Sequence, residues 1–274
     1  MLFLLPGLLG LLVFYAIPFG GGVYYSLTDG SFFNRYVGFD NYLAVWNNEM
    51  FKLGLVNTLI MSVICAPLTW VLSYILAAFL KNAPRTTFFR NAMLVPYLMP
   101  SSAIVLVWLI AFDYGGVVNR IFVSLGLDRV LWLNSGALRA PVVLMYVWKN
   151  LGFCIVIFTA ALQAVPQAYY EYAALEGAGF WRRELRITLP LVMPTAYLVF
   201  VLAWINAFRI FKEVYFIGGA YPDMSVYTLQ HYMNNMFAKL NYQNVTTAAY
   251  SFAVLVIALF ALLYFLMARS RRGM

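Results

Sequence analysis

Charge is scarce in this chain. Eighteen basic and 10 acidic side chains serve 274 residues, so 10% of the sequence is charged while 64% is hydrophobic. Soluble domains carry roughly 25% charged and about 45–50% apolar residues, so a water-facing surface cannot be assembled here. That excludes a cytosolic globular enzyme, a disordered tail and, in spite of the net charge of +8, a nucleic-acid binder. Histidine is almost absent: His231, read as lying in an outer loop, has no second imidazole to build a metal cage. The two cysteines, Cys65 and Cys154, sit in apolar runs without CxxC or Cys/His spacing and read as small buried hydrophobes. None of the five lysines follows a glycine, which rules out a GxxxxGK[ST] phosphate loop, and neither GxSxG nor HExxH occurs. The chain is therefore expected to bind no cofactor, and any ATP its work consumes must be hydrolysed by another subunit.

What is abundant is long apolar sequence. A span needs about 20 predominantly apolar residues, and six stretches qualify, near residues 2–27, 57–80, 88–112, 140–162, 191–217 and 246–267. The opening MLFLLPGLLG has no basic residue ahead of its apolar run and no small-residue cleavage pattern, so it reads as the start of the first span, not as a removable leader. No repeat with a period of about 20–50 residues is visible, and one all-α transmembrane domain over 1–274 is expected. The segments on one side carry Lys81, Arg85, Arg90, Arg182, Arg183, Arg186, Arg269, Arg271 and Arg272 against only Glu171, Glu176 and Glu184. The longer opposite loops balance Arg35, Lys52, Arg120, Arg129, Arg139 and Lys239 with as many acids. By the positive-inside rule both termini are cytoplasmic, with a lesser attraction of the basic side to anionic lipid. Phe39, Tyr42 and Trp46 in VGFDNYLAVW suit the headgroup level, and GGAYPD over 218–223 reads as a turn.

Four charges interrupt the apolar spans: Lys149 in MYVWKNLGF, and Arg209, Lys212 and Glu213 in AWINAFRIFKEVYF. Intramembrane charge is costly unless paired or hydrated and usually faces the bundle interior or a water-filled path. At i, i+3, i+7 spacing, Asn206, Arg209 and Glu213 share one helical face, and Arg209 and Glu213 form an i, i+4 pair able to neutralise each other. Lys149 and Lys212 either snorkel to the outer interface or line a solute path. Asn206 and Arg209 suit a path, because a guanidinium donates paired hydrogen bonds to sugar hydroxyls, carboxylates or phosphates.

The loop 163–190 is the most informative segment. After Pro166 comes the helix-favouring QAYYEYAALE, stopped by Gly177 and Gly179 and followed by a basic stretch with Trp181 and then ITLP. A short helix held along the membrane, with small Ala173 and Ala174, suits docking to a partner or capping of the bundle. Glu171, Ala173, Gly177, Ile187, Leu189 and Pro190 fall in register with a signature of EAA, three residues, Gly, nine residues, Ile, one residue, Leu-Pro. On that pattern the chain resembles the permease subunits of binding-protein-dependent ABC importers, with Tyr172 departing from the usual alanine. The likeness extends over nearly the whole chain to the maltose-transporter-type branch, through segments such as VWKNLGFCIVIFTAALQAVP and FRIFKEVYFIGGAYP. It lacks that branch's long inserted outer domain in the enteric maltose subunit and reads IGGAYP where many relatives read TGGGP.

The resemblance implies a six-helix permease fold in a bacterial cell membrane. Its implied partners are a second homologous permease, two ATPase subunits that bind ATP and Mg, and an extracellular solute-binding protein. Glu171, Ala173, Ala174, Gly177, Ile187 and Pro190 would couple to an ATPase. Asn150, Phe153, Asn206, Ala207, Arg209 and Ile210 would lie along the substrate path. The implied cargo is a sugar or oligosaccharide; an anionic solute such as glycerol phosphate is the alternative, with Arg209 and Lys149 supplying charge. A membrane-embedded enzyme using the Arg209–Glu213 face would need a second cluster of polar spans, which the sequence lacks. A stand-alone secondary transporter would need more intramembrane carboxylates than Glu213.

Overall fold

A computed structural model describes residues 2–31, 33–81, 86–134 and 136–272. Arg85, one of the basic residues expected on the cytoplasmic side, lies outside them. Among the described residues the fold is helical, with one isolated antiparallel bridge between Thr28 and Tyr36. In chain order the main helices are α1 (Leu5–Ser26), α2 (Asp40–Asn47), α3 (Glu49–Leu80), α4 (Thr86–Leu98), α5 (Ser101–Phe112) and α6 (Val117–Ser124). After them come α7 (Arg139–Gln163), α8 (Gln167–Leu175), α9 (Leu189–Phe208), α10 (Phe211–Gly218), α11 (Leu229–Ala238) and α12 (Tyr242–Arg272). Six helical runs among the described residues are long and apolar enough to cross a membrane.

Two spans differ from the continuous helices that hydropathy alone suggests. The third is divided at Met99–Pro100, where Pro100 takes φ −58° and ψ 138° at the start of α5. Proline lacks an amide donor and disfavours helix in the residue before it, so α4 stops and α5 begins anew. The fifth is divided at Arg209 (φ −89°, ψ 5°), between the end of α9 and the start of α10.

Contacts divide the chain into two compact units, residues 57–227 and residues 1–56 with 228–274. In the first, α7 is the central element, packed against α4, α9 and α5. Its C-terminal half joins Tyr74, Ala77 and Ala78 of α3 and Val192, Ala196 and Val199 of α9 through Cys154, Ile155, Phe158 and Leu162. Its N-terminal half packs Val142, Tyr146 and Val147 with Met61, Ala207, Ile210 and Val214. Gly152 permits the closest approach: a β-carbon there would lie 1.8 Å from the Met93 carbonyl oxygen of α4. Small residues at such crossings let helix backbones touch in a medium without a hydrophobic driving force.

At the start of α7 Arg139 clamps the turn after α10. Its Nη2 donates to Asn57 Oδ1 (2.9 Å) and to the Ser225 carbonyl (2.8 Å), while Asn57 Nδ2 donates to the carbonyls of Met224 (2.7 Å) and Tyr227 (3.0 Å). Asp223 accepts from the Ser225 hydroxyl and amide, which holds its carboxyl below the usual carboxylate range.

The second unit packs α12 against α1, α2 and α11. Asn41 Nδ2 bonds the carbonyls of Ser26 (3.0 Å) and Thr28 (2.8 Å), and Trp46 Nε1 donates to Ser251 Oγ at 3.2 Å. His231, expected in a loop, instead lies fully buried in the first turn of α11. Its Nδ1 accepts the Thr228 amide (3.2 Å) and lies 2.8 Å from the Thr228 hydroxyl, a capping arrangement that uses the neutral ring. Burial pushes its pKa down from 6.5 to about 4. As pH falls the unfolded chain takes up the proton first, so this contribution to stability is complete above about pH 6.5 and shrinks toward about pH 4. The melting temperature in lipid nanodiscs is expected to fall between neutral pH and about pH 5, less steeply for His231→Asn; equal slopes would refute the assignment.

Candidate functional site: a coupling segment and a polar cavity

The sequence between the fourth and fifth spans builds a short helix with defined ends. Pro166, with φ −59° and ψ 135°, precedes α8 and forces the chain to turn out of α7. The other end closes at Gly177, whose φ of +70° is left-handed. The Ala178 amide donates to the Ala173 carbonyl (2.9 Å) and the Gly177 amide to the Ala174 carbonyl (3.0 Å), the paired bonds of a Schellman termination. Nothing lies within 4 Å of where a Gly177 β-carbon would sit, so the backbone angle, not space, demands glycine. Ala173 faces inward, while Glu171, Ala174, Tyr172 (71% exposed) and Leu175 (85%) face outward. Ile187 is half-buried and Pro190 exposed, on the π-helical turn Glu184–Thr188 and at the start of α9 respectively.

What holds α8 in place is a buried network that sequence reasoning missed. Glu184, 2% exposed, pairs with Lys81 at the end of the second span and accepts from Tyr74 Oη at 3.2 Å. The Lys81 ammonium lies 4.4 Å from the centre of the Tyr170 ring and 3.3 Å from its hydroxyl. That hydroxyl receives the Thr188 Oγ1 bond at 3.2 Å. Thus α8, the π-helical turn and the end of α3 are tied together beside a cavity of about 520 Å³ lined in part by Gln163, Gln167 and Arg183. In the sequence Glu184 looks like one more charge of a solvated RRELR run; no local signal marks it as buried.

A second cavity, of about 290 Å³, lies among the spans. Asn150, Asn206, Arg209 and Ile210 line it with Lys149, Lys212, Glu213, Tyr97, Ser101 and Tyr146. The other two expected path residues lie elsewhere: Ala207 is packed in the core, and Phe153 stacks on Tyr97 with centroids 4.8 Å apart. The pairing of charges corrects the sequence reading. Glu213 does not neutralise Arg209; its Oε1 accepts Lys149 Nζ at 2.5 Å and Ser101 Oγ at 2.9 Å, and Lys149 also donates to Ser101 Oγ at 2.8 Å. The helix is interrupted at Arg209 and restarts after it, yet Asn206, Arg209 and Glu213 still line the same cavity. Ser101 is available because Pro100 starts a fresh helix there, a consequence of the YLMPSS sequence that could have been read as a break. Asn150 spends one amide hydrogen on the Tyr146 carbonyl (2.9 Å). Arg209 and Lys212 have no acid partner among the described residues and stay exposed.

Chemically, the arrangement offers amide donors, the Tyr97 hydroxyl and two exposed cations, in a helical membrane protein with an exposed short helix. Residues 70–274 match the family described as "Binding-protein-dependent transport system inner membrane component". The chain is 31% identical over 283 residues to the diacetylchitobiose uptake system permease protein NgcF of Streptomyces coelicolor, covering 95% of this chain and 79% of that one. It is 32% identical over 212 residues to the sn-glycerol-3-phosphate transport system permease protein UgpA of Yersinia enterocolitica, covering 76% and 72%. A solved bacterial alginate ABC transporter, in complex with an alginate pentasaccharide-bound periplasmic protein, superposes with a TM-score of 0.79 at 25% identity, covering 94% of this chain and 91% of that one.

Proposed function

The chain belongs to the binding-protein-dependent transport system inner membrane components, and from that premise we propose that it is the permease subunit of an ATP-driven importer for a saccharide or related polyol. A solute-binding protein delivers the cargo outside, a second permease completes the pathway, and two ATPase subunits bind beneath and hydrolyse ATP. Both termini are cytoplasmic, on the side of the basic segments. The named cargoes of the relatives, a chitobiose derivative and glycerol phosphate, support the solute class.

One observation carries the coupling assignment: α8 ends in a glycine-dependent turn in register with the EAA–Gly signature and exposes Tyr172 and Leu175 beside Glu171. Seated in a cleft of an ATPase, α8 moves with it. Through Tyr170, Lys81 and Glu184 that movement reaches the second span and the start of the fifth. Rocking of the spans then opens the polar cavity to alternate sides. Asn150, Asn206, Arg209 and Ile210 contact the passing solute, while Ala207 and Phe153 support the wall behind them.

The test is solute-stimulated ATPase activity of the complete transporter in lipid, with its binding protein. Glu171→Ala is expected to abolish stimulation. Gly177→Val forces a β-branched residue into the left-handed region, at a cost of about 1–2 kcal/mol, and is expected to uncouple as well. Gly177→Asn, which tolerates that region, should retain more stimulation than Gly177→Val. Full stimulation and uptake in Glu171→Ala and Gly177→Val would refute the coupling role.

A further inference from the structure

Because Glu213 is engaged by Lys149 and Ser101, the polar cavity holds two cations without a counter-charge. Lys149 and Glu213 cancel at 2.5 Å, which leaves Arg209 and Lys212, exposed on the cavity wall and without an ion pair among the described residues. The wall carries three cations against one carboxylate, so two positive charges remain whichever cation Glu213 takes, and the observed pairing leaves them on Arg209 and Lys212. Within membrane-spanning sequence such charge is expensive unless water or an anion offsets it, and cations in a low-dielectric cleft raise the local concentration of anions.

We infer that the transported solute is anionic: a saccharide or polyol unit bearing a carboxylate, phosphate or sulfonate group, held by Arg209 with Lys212 beside it. This rests on the permease reading above and adds the charge class of its cargo. The chemistry is specific to each side chain. Arg209 sits in the break between α9 and α10, where its guanidinium can offer two parallel donors to one anionic group. Lys212 adds a compact charge from the first turn of α10. Tyr97, backed by its stack on Phe153, and the Asn206 amide remain for ring and hydroxyl groups. The Lys149–Ser101–Glu213 cluster keeps the one intramembrane carboxylate of this wall from repelling the cargo.

The experiment supplies the complete transporter, reconstituted in proteoliposomes with its binding protein, with matched probes: glycerol against glycerol 3-phosphate, and neutral glucosyl against glucuronosyl disaccharides. ATPase stimulation and uptake are read for the wild type, Arg209→Gln, Arg209→Lys and Lys212→Gln. The expected result is a response to acidic probes alone. Arg209→Gln should then raise the half-saturating solute concentration about tenfold or more, as loss of one charge-assisted contact implies. Arg209→Lys should recover part of that loss. Uptake of neutral probes, with half-saturation unmoved in all three variants, would overturn the inference and leave the permease reading standing. If binding protein and every probe fail to stimulate a correctly assembled complex, the permease reading itself falls, and the inference with it.

Discussion

Gly152→Leu is expected to abolish recovery of folded permease. A β-carbon at this position would meet the Met93 carbonyl oxygen at 1.8 Å, its carbon at 2.4 Å and the Leu94 nitrogen at 2.9 Å. All three are backbone atoms, so no rotamer change relieves the clash; α4 and α7 would have to separate by an ångström or more. Ordinary overpacking costs about 1–3 kcal/mol because side chains yield, and here none can. The separation would also spread the wall that carries Lys149 and Asn150 on the neighbouring turn of α7. Gly10→Ala, where nothing lies within 4 Å, is the control. Size-exclusion profiles and melting temperatures in detergent should show aggregated or absent protein for Gly152→Leu and wild-type behaviour for Gly10→Ala. A monodisperse Gly152→Leu peak at the wild-type melting temperature would mean that the helices do not touch there.

Glu184→Ala carries the second large expected effect, a loss of about 3–5 kcal/mol, because breaking a buried ion pair strands the remaining charge. Lys81 would keep only the face and hydroxyl of Tyr170, and Tyr74 would lose its carboxylate acceptor. The double change Lys81→Met with Glu184→Leu replaces the pair by apolar groups and is expected to restore most of the stability. Thermal unfolding in nanodiscs measures both. If Glu184→Ala unfolds at the wild-type temperature, the pair does not hold the end of α3 to the start of the fifth span. The double variant has a further use: folded protein with weakened ATPase stimulation would locate the pair on the route from α8 to the second span.

The six apolar spans and the short helix after Pro166 were legible in the sequence because their signals are local. About twenty apolar residues partition into lipid whatever surrounds them, and Pro166 and Gly177 act through the backbone of the few residues beside them. The break at Pro100 was equally local and available, but unbroken hydropathy across 88–112 obscured it. The polar cavity was legible only in part. Asn150, Asn206, Arg209 and Ile210 could be named, yet the ion pair expected between Arg209 and Glu213 is not made, and Ala207 and Phe153 pack behind the wall.

By itself, then, the sequence determined that this is a six-span helical membrane protein with its basic residues concentrated on one side, and where the short helix between the fourth and fifth spans starts and stops. Those properties follow from transfer of side chains between water and lipid and from backbone angles of adjacent residues. The tertiary structure alone decided that Glu213 pairs with Lys149, 64 positions away, that Glu184 is buried against Lys81, 103 positions away, and that α4 touches α7 at Gly152. An ion pair or a helix contact depends on which surfaces meet, and in an apolar solvent many surfaces are equally willing. Packing selects one, and with it the charge that remains free in the cavity.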